Sequence, residues 1–220
     1  MALDKITNLS EQIADHISDK IIRLEFRPGE RIMETKIANE LKVSRSPIRE
    51  ALRILEKNRL VELIPRRGAQ VTKLSETFIA QLCDVLMALF CLMARQCAEN
   101  GTDRNFEMID DAAKRSSDCV DREDVYGYYN ALFDFVVASL KATHNPLLEQ
   151  MIQELLPNVR RIIYASFSFQ KEALEKNVVV VMTGNRYLQE RNGKMAEKTV
   201  VDYIKQAKSF ALENNIFPMS

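Results

Sequence analysis

Apolar residues recur at helical spacing through most of the chain, beginning near its N-terminus. Three isoleucines lie four residues apart and therefore share one face of a helix. They predict a first helix that begins at Asn8 or Ser10 and ends near Leu24, before a turn that contains proline and glycine. The three isoleucines are Ile13, Ile17 and Ile21.

Two shorter helical patterns follow. The first covers Glu34–Leu41, and the second has Ser44 or Ser46 as its N-cap and Pro47 in its first turn, where a missing amide hydrogen costs little. In this third helix the apolar residues form an inward stripe, whereas the arginines fall on another face that we expect to be exposed. The stripe is Ile48, Leu52 and Leu55, and the arginines are Arg45, Arg49 and Arg53.

After Leu60 the pattern changes to that of short strands. Residues 61–64 and 69–72 have β-like sequences, and Pro65-Arg66-Arg67-Gly68 between them predicts a hairpin with a basic tip. Three helices followed by a β-hairpin are typical of a winged helix-turn-helix. We therefore predict such a domain in residues 1–74.

From Ser75 onward the pattern is almost entirely helical. The strongly apolar segment Phe78–Ala98 predicts a long helix with a broad inward face that includes Val85, and Gly184 is an expected helix boundary. The β-branched run Val178–Met182 has strand propensity, but it stands alone among helices, so we interpret it as a buried helical segment. Further helices are predicted over residues 105–119, 124–142, 146–167 and 196–213.

The composition agrees with a mainly α protein of two domains. The 220 residues are 46% apolar and 28% charged, which is typical of a soluble globular protein. No segment reaches the roughly 20 uncharged apolar residues of a membrane span, and the N-terminal segment is too charged for a signal peptide. We expect a cytoplasmic protein without a membrane partner, with the winged domain in residues 1–74 and an all-helical bundle in residues 75–220.

The chemically reactive residues argue against catalysis. The four cysteines have no CxxC spacing, and the two histidines, His16 and His144, lie in unrelated contexts. The sequence contains no phosphate-binding loop and no GxGxxG pattern. Because it shows no nucleophile–base pair and no metal cluster, we expect neither an enzyme nor a cofactor or metal, and we expect reduced, mostly buried thiols.

The charge is distributed unevenly although the net charge is zero. Residues 1–74 contain 15 Lys and Arg against 11 Asp and Glu, whereas residues 75–220 contain 16 against 20. This polarity is expected if the N-terminal end meets phosphate.

The third helix and the hairpin tip have side chains that suit DNA recognition. Arg45 and Arg49 lie one turn apart near the helix N-terminus, and arginine can donate two hydrogen bonds to guanine O6 and N7. The serines beside them suit phosphate, and the basic tip can follow the backbone or enter the minor groove. The candidate DNA-binding residues are Ser44, Arg45, Ser46, Arg49, Arg66, Arg67 and Gly68.

The alternative interpretation of these arginines is an ordinary solvated face that pairs with Glu50 and Glu56. The order of helix, turn, helix and basic hairpin favours DNA binding. Moreover, residues 28–74 resemble the DNA-binding domain of GntR-type regulators. The resemblance implies that residues at Ser44, Arg45 and Arg49 touch DNA and that Gly68 lies at the wing tip. The matching residues are Pro28-Gly29, Glu34, Ala38, Leu41, Val43-Ser44-Arg45, Pro47, Arg49-Glu50-Ala51-Leu52, Arg67-Gly68-Ala69 and Val71, while Asn58-Arg59 replaces the usual glycine.

The helical remainder is similar in length and pattern to the FCD domain of the FadR branch, which often dimerises and senses small carboxylates. That family commonly holds a divalent metal with an Asp and three His, the first pair in a DxxFH motif. The stretch matched to this motif, Asn130–Asp134, lacks both ligands, and the other two histidines are matched to Asn177 and Tyr203. Amide and phenol groups bind transition metals poorly, so we expect no metal here.

The remaining positions predict a less ionic pocket for an apolar or uncharged effector, or for none. Core packing is the competing interpretation, because Met and aromatic residues at helical spacing usually pack in a core. The pocket candidates are Met87, Phe90, Asn130, Asp134, Tyr164, Asn177 and Tyr203.

Together these patterns predict a homodimeric, sequence-specific transcription regulator. It is expected to be a repressor that binds a pseudo-palindromic double-stranded DNA operator and responds to a small-molecule effector. The alternative is a constitutive DNA-binding factor whose bundle is only a dimerisation scaffold. An enzyme with an appended DNA-reading module has little support, since no catalytic cluster is present.

Overall fold

The computed structural model describes residues 8–65, 68–169 and 171–213. These residues form nine helices and three short strands, and they divide into two compact units. The first unit contains residues 8–65, 68–75 and 154–165, and the second contains residues 76–153, 166–169 and 171–213. The elements are α1 (Leu9–Ile22), β1 (Arg31–Ile32), α2 (Glu34–Leu41), α3 (Arg45–Lys57), β2 (Val61–Ile64), β3 (Gly68–Val71), α4 (Glu76–Asn100), α5 (Asp103–Asp121), α6 (Val125–Lys141), α7 (Pro146–Phe169), α8 (Lys171–Gln189) and α9 (Gly193–Glu213).

In the first unit, the predicted apolar stripes of α1 and α3 form the core. Ile17 and Ile48 have no exposed surface, and burial of such a side chain contributes about 1.5–3 kcal/mol. Asn8 caps α1 by accepting from the Ser10 amide at 3.4 Å and completes a capping box with Glu11. The predicted winged helix-turn-helix is confirmed.

The wing belongs to a three-stranded antiparallel sheet in the order β1-β3-β2. Ile64 pairs with Gly68 across the hairpin, and Ile32 pairs with Ala69 on the other side of β3. The sequence pattern did not predict β1, because a strand of two residues is too short to show any alternation of apolar and polar positions.

The C-terminus of α3 explains why Asn58-Arg59 can replace a glycine. Arg59 adopts a positive φ of 56°, the left-handed conformation that glycine adopts most readily. The Leu60 amide donates to the Leu55 carbonyl at 2.9 Å, which satisfies a carbonyl at the helix end. The arginine therefore keeps the same helix stop at the cost of some backbone strain.

The second unit is all-helical, as predicted. Its core includes Cys97, Ile109 and Leu188 from three different helices. The run Val178–Met182 lies within α8, which confirms that it is helical. Its predicted burial is wrong, because Val181 is the only buried residue of the run and Val179 is 63% exposed. The expected boundary at Gly184 is wrong, because α8 continues through this glycine to Gln189.

One residue of the predicted inward face of α4 lies outside. Val85 is 50% exposed, whereas Leu82 and Leu86 are buried, so the buried stripe of α4 is narrower than its apolar sequence suggests. Among the described residues, α4 is also the one helix long and apolar enough, by length and composition, to cross a membrane, a test that the core helices of soluble proteins also pass.

Candidate nucleic-acid interface and ligand cavity

The exposed face of α3 presents the predicted DNA-binding side chains. Arg45 begins the helix, Ser44 is its N-cap, and Ser46 and Arg49 follow on the solvent side. All four residues are exposed, while the apolar stripe on the opposite face is buried. The burial of one face fixes the rotation of α3 and so determines which side chains can reach a ligand.

A groove of about 650 Å³ lies between this face of α3 and the sheet. Arg45 and Arg49 line it together with Gly68, so the structure brings these three predicted residues to one site. Arg66 and Arg67, the other predicted wing residues, lie outside the described residues.

Gly68 has a backbone role at this groove. Its φ is +85°, and a Cβ added there would lie 2.6 Å from the Ile32 carbonyl oxygen. Any other residue at this position would meet both backbone strain and a backbone atom. The glycine therefore allows β3 to start close to β1.

Two further arginines in the groove were not among the predicted DNA-binding residues. Arg31 lies in β1, which was not predicted, and Arg53 lies one turn beyond Arg49 on α3. The sequence had placed Arg53 on the same face as Arg45 and Arg49, and that signal could have identified it. The groove thus carries four arginines, a density of positive charge suited to the phosphate backbone.

The second unit contains an apolar cavity of about 90 Å³ bounded by α4, α6, α8 and α9. Three predicted pocket residues, Phe90, Asn177 and Tyr203, line it. Ser139 also lines the cavity; it is 1% exposed, and its Oγ has no hydrogen-bond partner among the described residues. Ser139 was not predicted, since a serine within an apolar helix gives no distinctive sequence signal.

A short hydrogen-bonded chain provides the polar part of this region. The Tyr128 hydroxyl donates to Asn177 Oδ1, and Asn177 Nδ2 donates to the Tyr203 hydroxyl at 3.0 Å. Burial raises the pKa of both tyrosines, so their hydroxyls remain neutral donors at physiological pH.

Four predicted pocket residues do not line the cavity. Asn130 and Asp134 are exposed on the opposite face of α6, and Asp134 accepts from Arg115 Nη1 at 2.8 Å. Met87 is absent from the lining of the cavity, and Tyr164 lies in the part of α7 that belongs to the first unit. The predicted placement of Asn130 and Asp134 in a pocket is therefore wrong. Successive residues turn by about 100° around a helix, and the rotation of α6 directs these two side chains away from the cavity.

A second placement of the DxxFH motif agrees better with this rotation. If the motif is placed two residues later, its Asp and His positions fall on Leu132 and Val136, and its phenylalanine falls on Phe135. All three residues line the cavity. Leucine and valine cannot bind a metal, and the described residues contain no group of three His, Cys, Asp or Glu that could hold one. The residues present therefore do not fit the metal that the family resemblance implies.

Comparison with known families accounts for both units. Residues 9–71 match the model of the bacterial regulatory proteins of the gntR family, and residues 81–205 match the FCD domain. The chain belongs to the GntR family. It is a transcription regulator with a helix-turn-helix DNA-binding domain and an FCD domain, and it is not an enzyme.

Two relatives of this GntR-family regulator are also HTH-type transcription regulators. It is 39% identical over 87 residues to the HTH-type transcriptional regulator YdhC of Bacillus subtilis, a match that covers 40% of this chain and 39% of YdhC. It is 22% identical over 200 residues to the HTH-type transcriptional repressor RspR of Escherichia coli, covering 90% of this chain and 86% of RspR. The solved structure of E. coli McbR/YncC shares the fold with a TM-score of 0.84 at 15% identity, covering 96% of this chain and all of that chain.

Proposed function

We propose that this GntR-family regulator is a cytoplasmic repressor that binds a pseudo-palindromic operator as a homodimer. The arginine-lined groove between α3 and the sheet is the observation that carries the proposal. In this proposal Arg45 and Arg49 read bases, Ser44 and Ser46 contact phosphate, and Gly68 with Arg66 and Arg67 forms the wing contact. The repressor assignment is supported by the similarity to RspR, which is described as a repressor.

The decisive experiment compares two arginine variants on two DNA duplexes. One duplex carries a site selected by the full-length protein from a random-sequence library, and the other is a scrambled duplex of equal length. Arg49→Ala should weaken binding to the selected duplex by about 1–3 kcal/mol. Arg66→Ala should weaken both duplexes similarly and reduce the salt dependence. Wild-type discrimination by the Arg49 variant would refute the assignment of α3 as the base-reading helix.

The exposed side of α4 around Val85 supports dimerisation. Val85 is 50% exposed, and Gln81 and Ala88 on the same side are also exposed, so this face is available to a second copy of the chain. A single winged domain offers a small footprint, whereas specific sites usually require the area of two. Light scattering should report a dimer at micromolar concentration. Val85→Glu should yield a monomer, and the control Val179→Glu, at a residue 63% exposed on α8, should leave the dimer intact.

The cavity supports control by a small uncharged effector. Its wall is apolar except for a few hydroxyl and amide groups, so a charged ligand would lose its hydration without a partner. Ser139 Oγ could donate to or accept from such a ligand, since it has no partner among the described residues. The expected effector is a compact, mainly apolar molecule with one hydrogen-bonding group.

A thermal-shift screen of metabolites tests this part of the proposal. A ligand that binds only the folded state stabilises it by about 2.7 kcal/mol at 100 times its dissociation constant. Ser139→Ala should weaken the response to any hit. Ser116→Ala is the matched control, because Ser116 is fully buried but donates to the Ala113 carbonyl and does not line the cavity.

The second candidate function is a constitutive DNA-binding factor with a structural bundle. The small volume of the cavity, about 90 Å³, favours this candidate, because sites for drug-sized ligands usually measure about 300 Å³ or more. Absence of any thermal shift across a broad library, together with intact operator binding, would support the scaffold over the effector-controlled repressor.

A further inference from the structure

A single carboxylate stands among the arginines of the DNA-binding groove. Of the described residues that line the groove, Glu34 is the only acidic one, beside Arg31, Arg45, Arg49 and Arg53. DNA carries a dense negative charge, so a carboxylate at this place opposes binding through simple electrostatics. Its presence therefore calls for a geometric explanation.

The contact made by Glu34 supplies that explanation. Arg49 Nε donates to Glu34 Oε2 at 2.9 Å. The Glu34 side chain is only 22% exposed, whereas that of Arg49 is 61% exposed. Glu34 is the first residue of α2, where the positive end of the helix dipole stabilises its carboxylate. A partly buried carboxylate on one helix thus holds the inner part of an exposed side chain on the next helix.

The bond uses Nε and not the outer end of the guanidinium. The guanidinium is planar, so a bond at Nε restricts the plane in which the two terminal nitrogens lie. This bond does not use the outward-facing pair of N–H groups, one on each terminal nitrogen, and that pair matches the O6 and N7 acceptors of guanine. The geometry leaves the base-reading part of Arg49 available while its direction is fixed.

We propose that Glu34 is a positioning residue that sets Arg49 for base recognition. This inference rests on the proposed function, in which Arg49 reads a base. Glu34 raises the discrimination between operator and other DNA, although its charge lowers the affinity for DNA of any sequence. Two other roles make different predictions. A surface ion pair without consequence would leave discrimination unchanged, and a direct contact between Glu34 and cytosine N4 would affect a base pair other than the one that Arg49 reads.

The test uses full-length protein and fluorescence anisotropy at fixed salt, with the selected duplex and the scrambled duplex as probes. Glu34→Ala should bind the selected duplex about fivefold more weakly, the upper range for an exposed ion pair. It should bind the scrambled duplex equally well or more tightly, because one negative charge is removed. Glu34→Gln, which retains an acceptor oxygen, should lose less discrimination. Glu62→Ala is the matched control, since Glu62 is an exposed carboxylate of the same unit that does not line the groove.

A double-mutant cycle and a base-pair scan complete the test. In the Arg49→Ala background, Glu34→Ala should cause no further loss of discrimination, and both single variants should tolerate changes at the same base pair. Two results would overturn the positioning role while leaving Arg49 as a base reader. One is that Glu34→Ala binds both duplexes more tightly by the same factor, and the other is that it loses discrimination at a different base pair. Wild-type discrimination by Arg49→Ala would instead overturn the proposed function, and the positioning role with it. Thermal melting of each variant verifies that it is folded at the assay temperature. If Glu34→Ala is not folded, Glu34→Gln takes its place in the test.

Discussion

The side-chain amide of Asn177 donates to the Tyr203 hydroxyl at 3.0 Å, and its carbonyl accepts from Tyr128. Three helices, α6, α8 and α9, are thus linked by one buried asparagine beside the cavity. Asn177→Leu keeps the approximate size of the side chain but removes both hydrogen bonds, which should reduce the free energy of unfolding by about 1–3 kcal/mol. Urea unfolding measures the loss. Tyr203→Phe, which removes only one bond, should cost less than Asn177→Leu, and an equal cost would contradict the linking role.

Gly68→Ala should damage the winged domain. The new Cβ would lie 2.6 Å from the Ile32 carbonyl oxygen at a φ of +85°, so the backbone must shift. We expect a loss of roughly 1–3 kcal/mol in the free energy of unfolding, together with weaker DNA binding. Unfolding curves and anisotropy titrations measure the two effects. Wild-type stability of this variant would mean that β1 and β3 do not need this close approach.

Gly184→Ala should have the opposite effect on stability from Gly68→Ala. This glycine lies inside α8, and the nearest atom to an added Cβ is Thr199 Cγ2 at 3.9 Å, an ordinary contact distance. Alanine restricts the unfolded chain and should increase the free energy of unfolding by about 0.4–1 kcal/mol. Because Gly184 lines the cavity, the methyl group should also weaken binding of any ligand found there. Destabilisation in urea would show that the helix needs glycine at this position.

Asp110 should contribute to the decrease in the free energy of unfolding at acidic pH. Hydrogen bonds from Lys114 and Asn185 lower the pKa of Asp110 below its usual value. A carboxyl whose folded-state pKa is depressed stabilises the protein above its unfolded-state pKa of about 3.9, and this contribution is lost as the pH falls through the folded-state value. The stability difference between wild type and Asp110→Asn should therefore be constant near neutral pH and shrink in acid. Lys114→Met, which removes the largest cause of the shift, should reproduce part of this change in a series of urea titrations at different pH.

The purified protein should contain no stoichiometric transition metal. In the placement of the DxxFH motif that faces the cavity, its Asp and His positions carry Leu132 and Val136, and the positions matched to the other two histidines carry Asn177 and Tyr203. None of these groups is a good ligand for zinc, nickel or manganese. Elemental analysis after dialysis against a weak chelator measures the content. One tightly held metal ion per chain would mean that the true ligands lie elsewhere in the sequence.

The sequence predicted most helices because their apolar stripes are strong and periodic. It failed where the decisive information was not local. The DxxFH motif can be placed with Phe133 or with Phe135 as its phenylalanine, and only the rotation of α6 shows that Phe135 is the one that lines the cavity. Likewise, Val85 is apolar but faces outward, and no pattern within α4 distinguishes it from the buried Leu86.

The predicted DNA-binding residues were easier to place than the cavity residues. On α3 the apolar stripe must face the core, so the arginines must lie on the exposed face. Both features can be read from the thirteen residues of this helix alone. The pairing of Arg49 with Glu34 could not be predicted in this way. It depends on the angle between α2 and α3, which is set by packing of the whole first unit.

Helix α7 has a consequence for protein engineering. Its residues 154–165 belong to the first unit, where Asn158 Nδ2 donates to the Asn58 carbonyl at 2.8 Å and Arg161 Nη1 donates to Thr72 Oγ1 at 3.3 Å. The unit that contains α3 is therefore not encoded by one uninterrupted stretch of the gene. A biosensor chimera that joins residues 1–75 to a foreign sensor domain would omit these partners. Functional fusions will have to transplant this segment as well, or recreate its donors on the new helix.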